Sequence, residues 1–131
     1  MLTKPNAVLK QVTSQFQLQL GKARIPMVLL GTSPFIGAAQ FGSRAYTYYA
    51  RFYEKPRNIA KIMLKAVDLG VTGVQVLPYR PVFEALKIAE RELKTELTVV
   101  GTIGPSDPLG DLKQFEEFNT VAMLLHGALT D

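Results

Sequence analysis

Apolar residues recur along this chain with two different periods, and the switches between them lay out a succession of elements. Ile59, Ile62, Met63, Ala66 and Val67 follow the i, i+3, i+4, i+7, i+8 spacing that lines one face of a helix. Pro56 stands where a first-turn proline belongs, and Gly70 stands where a left-handed residue ends a helix. The run VTGVQVLP at 71–78 is β-rich and is stopped by its proline. Pro81 opens a second helix with Val82, Ala85, Leu86, Ala89 and Leu93 on one face and Glu84, Lys87, Glu90, Arg91 and Lys94 on the other. LTVVGT at 97–102 reads as a buried strand. Asp107-Pro108 is the cap and first position of a shorter helix with apolar Leu109, Leu112, Phe115 and Phe118. The last run, TVAMLL at 120–125, is apolar without alternation, the pattern of a parallel strand covered on both faces.

Upstream, RIPMVLLGT at 24–32 reads as the first strand of the same series. Before it, Phe16, Leu18 and Leu20 alternate with Gln15, Gln17 and Gln19, and Gly21-Lys22 turns the chain back. This predicts a hairpin over 12–24 with one wet face. Residues 33–56 form a long first connection between strand and helix. Gly31-Thr32 and Gly101-Thr102 each end a strand with a proline soon after, a weak internal repeat consistent with βα units. The expectation is a single α/β domain over 1–131, a hairpin followed by four parallel βα-type units. The pattern alone leaves two architectures open: a small doubly wound sheet, or part of a (β/α)8 barrel. A complete barrel takes roughly 250 residues, so in the second case the chain is about half of one.

Composition narrows the class. With 131 residues, 47% of them hydrophobic, the chain can bury a core and is not intrinsically disordered. It has no cysteine, which excludes disulfides and thiolate-held metals, and His126 is its one histidine. Residues 1–11 hold a proline and two lysines without a continuous apolar core, so no secretory signal is expected. No run approaches the ~18 apolar residues of a membrane span, and a cytoplasmic protein without a membrane partner is the expectation. The net charge of +4 is uneven. Residues 1–53 carry six basic groups and no acidic one, whereas the remainder holds nine basic and eleven acidic groups. Six charges over that length are sparse, so nucleic acid is an unfavoured partner and a solvated surface is the plainer reading.

In either α/β architecture, function sits at the carboxyl ends of the strands. Those ends offer Thr32, Ser33, Tyr79, Arg80, Thr102 and His126. His126 and Tyr79 are the candidate catalytic groups; Thr32, Ser33, Arg80 and Thr102 are candidate ligand contacts. Each has a plainer alternative. A lone histidine is commonly a hydrogen-bonded structural residue, and Tyr79-Arg80 can simply start a helix with a solvated arginine. The aromatic segment at 36–53 has no GxGxxG or P-loop pattern. It reads as a short helix packing Ala45, Tyr49 and Phe52 over the strand ends, with a pocket wall or a base-stacking surface as alternatives. Glu90/Glu92 and Glu116/Glu117 fall on predicted exposed helix faces and read as solvation.

The hairpin, PMVLLGT at 26–32, AVDLGV at 66–71 and VAMLLH at 121–126 together resemble the first half of the aldo-keto reductases, over most of residues 15–128. The resemblance implies a (β/α)8 barrel whose bottom is closed by the hairpin, and NADPH-dependent carbonyl reduction by an Asp, Tyr, Lys and His from strands two to four. His126 matches the histidine of that set, and Tyr79 lies about one residue from the tyrosine position. The aspartate position falls on Gln75 or Val76 and the lysine position on Thr102. A tyrosine with an ordinary pKa of ~10 needs a neighbouring cation to exchange protons near neutrality. The resemblance therefore implies the barrel more than the reduction. NADP enters only through the resemblance, and no cofactor is expected of this chain alone. The expectation is a half-barrel that binds at most a small organic ligand. The alternative is an assembly module that closes its sheet by homo-oligomerisation, because helices on one side of four parallel strands leave the other face bare.

Overall fold

A computed structural model describes residues 16–130. The first part of the predicted hairpin, residues 12–15, and the leading segment at 1–11 lie outside the described residues. Strands β1 (Gln17–Leu20) and β2 (Ala23–Pro26) pair antiparallel across Gly21-Lys22, with Gly21 at φ 57°. Four further strands, β3 (Leu29–Gly31), β4 (Gly73–Val76), β5 (Thr98–Ile103) and β6 (Thr120–Leu125), form one parallel sheet in the order β3-β4-β5-β6. The helices between them are α1 (Ala45–Phe52), α2 (Pro56–Asp68), α3 (Arg80–Leu93) and α4 (Pro108–Phe115), and a last turn, α5 (Gly127–Thr130), follows β6. The fold is thus α/β, a parallel sheet of four strands preceded by an antiparallel hairpin.

The single strand expected over 24–32 is two strands. Pro26 has no N–H to continue a ladder, and Met27 and Val28 bend out into solvent. The chain then re-enters as β3, so β2 belongs to the hairpin and β3 to the parallel sheet. The sheet order is monotonic, with no reversal of the kind that defines a doubly wound sheet. Although β2 leads directly into β3 at one edge, it also lies against β6 at the other.

The helix positions follow from local chemistry. Pro56, Pro81 and Pro108 each occupy the first turn of a helix. Helix α2 ends in a Schellman arrangement: Val71 N–H reaches the Ala66 carbonyl, Gly70 N–H reaches Val67, and Gly70 supplies φ 88°. Side chains then pack by period. Ile59, Ala60 and Met63 from α2 and Val82, Ala85, Leu86 and Ala89 from α3 meet Val74, Val76 and Val99 of the sheet in one core. Phe83, which the periodicity passed over, is also buried, edge-on to Phe115 and stacked on Phe118.

Three burial expectations need correction. Leu109 and Leu112 face solvent, because α4 is two turns long and packs mainly through Phe115. β6 is not covered on both sides: Leu124 is 46% and Leu125 61% exposed, since β6 is an edge strand. The sheet face opposite the helices is covered at its centre, where Val100 and Thr102 are 4% and 6% exposed, and open at the β6 edge, where Leu124 beside Thr102 is 46% exposed. No helix among the described residues is long and apolar enough to cross a membrane.

Candidate functional site

The carboxyl ends of the parallel strands open into one cleft of about 490 Å³. Ser33 enters it from the 3-10 turn after β3, Tyr79 from the start of α3, Thr102 from β5 and His126 from the end of β6. Four of the six candidate residues, drawn from four consecutive strand ends, thus share one cavity. Ile36, Leu77 and Pro78 supply its apolar wall. The volume falls within the roughly 300–1,000 Å³ of small-molecule sites.

Thr32 and Arg80 do not line it. The Thr32 side chain is fully buried; its hydroxyl donates to the Gln75 carbonyl and accepts from Leu77 N–H, both at 3.0 Å. Arg80 is turned outward to Glu54 and Glu84, each at 2.9 Å, and these carboxylates hold its guanidinium above its ordinary pKa. Side chains 63% exposed make such pairs weak contributors to stability. Thr102 accepts a hydrogen bond from Gln75 Nε2. The two threonines of the Gly-Thr repeat, the buried polar side chains among the described residues, therefore both bond to Gln75 of the strand between them. Thr32 acts as a staple between β3 and β4, whereas Thr102 does this while also lining the cleft.

His126 is exposed at the rim. Its backbone N–H continues the sheet to the Ile103 carbonyl, and its Nδ1 accepts from Ala128 N–H at 3.1 Å. The neutral ring therefore carries its proton on Nε2, which stays available to a ligand. Tyr79 is 39% exposed and makes an edge-on contact with Tyr53, which stacks on Tyr49. The chain matches no protein-family model, no curated protein and no solved structure.

Residues 33–44 cover one side of the cleft, through Ile36, Ala38 and Gln40, and α1 packs behind them. Gly37 permits this: at φ 62°, an added Cβ would lie 2.7 Å from Tyr49 Cβ and from the Ala45 carbonyl. Phe52 packs inward against Phe35, as expected, but Tyr49 remains 46% exposed and Tyr46 81%.

Two acidic residues complete the lining. Asp107 caps α4, its Oδ1 accepting from Gly110 N–H, and Asp111 Oδ2 accepts from Gly104 N–H at 2.8 Å. The sequence marked Asp107 as a cap but gave no signal for Asp111, which reaches back seven residues to the end of β5. Elsewhere, Glu90 is not simply solvated. Its Oε1 accepts from Leu97 N–H, and partial burial, together with nearby Glu96, holds its carboxyl above the usual range despite that hydrogen bond.

Proposed function

We propose that this chain forms half of a (β/α)8-type barrel of the aldo-keto-reductase kind and binds a small organic ligand at the carboxyl ends of its strands. The observation that carries this reading is the gathering of Ser33, Tyr79, Thr102 and His126 into one cavity. Two features support the barrel. The strand order is monotonic, and the hairpin, continuous with β3 at one edge, lies against β6 at the other, as it does when a curved sheet is plugged from below.

NADPH reduction is not part of the proposal. The aspartate position that the resemblance implies holds Gln75 or Val76 and the lysine position Thr102, and Gln75 and Thr102 make a neutral amide-to-hydroxyl bond. Tyr79 is thereby left without the cation that proton exchange near neutrality requires. Among the described residues, the cleft lining also contains no lysine or arginine to meet a dinucleotide's phosphates. The test is a screen of small uncharged and charged organic fragments by amide chemical-shift mapping. Perturbations should cluster on Ser33, Tyr79, Thr102 and His126, and clustering elsewhere contradicts the reading. NADPH titrated by fluorescence should show no tight binding; a sub-micromolar affinity would overturn the exclusion.

A second reading has its own observation. β3 and β6 are both sheet edges, and β6 presents Leu124 and Leu125 to solvent. A second copy of this chain would cover them with a self-complementary surface. Light scattering should then show a dimer that Leu125→Lys dissociates, and a monomer at high concentration would end this reading.

A further inference from the structure

We infer that the cleft selects a small organic cation, a protonated amine on an apolar body, and discriminates against anions. The inference rests on the reading of the cleft as a small-ligand site and names the class of ligand. Among the described residues, the carboxylates lining the cleft are those of Asp107 and Asp111, no lysine or arginine lines it, and its one imidazole, His126, already accepts a hydrogen bond at Nδ1 from Ala128 N–H. Arg80, next to cleft-lining Tyr79, is directed away and bound to Glu54 and Glu84.

Apart from His126 Nε2–H at the rim, the groups that would ordinarily attract an anion here are already taken. The amino end of α4 faces the cleft, and its partial positive charge is met by its own cap, Asp107, and its own first-turn residue, Asp111. The Gly104 N–H at the end of β5 is taken by Asp111 Oδ2. That carboxylate stands where a ligand's anionic group would otherwise sit. Its second oxygen, Oδ1, has no hydrogen-bond partner among the described residues, and a carboxylate oxygen only accepts. An ammonium group, which only donates, fits it. The hydroxyls of Ser33 and Thr102 add acceptors, and Ile36, Leu77 and Pro78 suit an apolar body.

Three probes of nearly one shape separate charge from shape: benzylammonium chloride, benzyl alcohol and sodium benzoate, each titrated into the full chain at neutral pH and constant ionic strength and followed by amide shifts. Benzylammonium should perturb Thr102, Gly104 and Asp111, benzyl alcohol should bind about tenfold more weakly, and benzoate more weakly still. Asp111→Asn keeps an oxygen acceptor for Gly104 N–H and should bring benzylammonium down to the level of the alcohol; an unchanged affinity overturns the inference. Benzoate binding in the cleft as tightly as benzylammonium overturns the charge selection and leaves the ligand site standing. Failure of all three probes to perturb the cleft amides contradicts both. Should Asp111→Asn not fold, the series on the unaltered chain decides alone.

Discussion

The two ends of the parallel sheet are built to opposite specifications. At the amino ends, Gly73 begins β4 with no room for a side chain: an added Cβ would lie 2.5 Å from Leu29 Cδ2 and 3.1 Å from Pro26 Cγ. Ile25 and Pro26 of the hairpin are buried there. At the carboxyl ends the same strands part around a cleft of about 490 Å³ walled by hydroxyls, carboxylates, a phenol and an imidazole. Close packing at one end frees the other from carrying stability, a division of labour common to parallel α/β sheets.

The largest effect should come from filling the tight end. Gly73→Val suits a strand by propensity but drives two methyl groups into Leu29 and Pro26, and should cost about 1–3 kcal/mol in denaturant unfolding. The ligand response of the cleft should survive in the folded fraction. A loss of response without loss of stability would break the separation. Thr32→Val should cost a similar or slightly smaller amount, about 1–3 kcal/mol, by leaving Leu77 N–H and the Gln75 carbonyl without the hydroxyl that joins them. Thr32 does not itself line the cleft but adjoins Ser33 and bonds Leu77, which do, so changes there should be small shifts confined to those two amides.

Asp107→Ala tests a residue with both roles. Losing the cap should cost about 1 kcal/mol of stability and should also halve the acidic lining, so melting temperature and cation affinity should fall together. The smallest effect belongs to Glu90, which holds Leu97 just before β5 on the side away from the cleft. Its carboxyl is raised mainly by burial, so its protonated form is the one the fold favours. Its contribution to stability is fully present below the unfolded value and is lost as pH rises through the raised folded value. Glu90→Gln, which retains an oxygen for Leu97 N–H, should melt slightly above the unaltered chain at pH 7. That advantage should vanish in acid. An advantage that grows as pH falls would reverse the sign.

The fold was largely legible because its signals are local. Helix-period runs, first-turn prolines and Gly70 announced α2, α3 and α4, and the apolar runs announced β4, β5 and β6. What failed depends on neighbours. Nothing in RIPMVLLGT says that Pro26 ends one strand and Leu29 begins another in a different sheet, and nothing in TVAMLL says that its last leucines lie on an open edge. The site was legible as far as strand ends could be located, which found Ser33, Tyr79, Thr102 and His126. Asp111 escaped because its role arises only when α4 folds back on Gly104, and Thr32 proved to bond within the sheet because its partner Gln75 lies 43 residues away.

The separation of the two ends is tested most directly on His126→Ala, with stability and the amide shifts induced by benzyl alcohol, whose oxygen can accept from His126 Nε2–H, measured on the same samples. His126 is exposed and its one side-chain bond serves the last helical turn, so stability should stay within about 0.5 kcal/mol while the perturbation of Thr102 and Gly104 weakens severalfold. An unaltered response at those amides, or a response centred on Gly73 and the hairpin, would contradict the account.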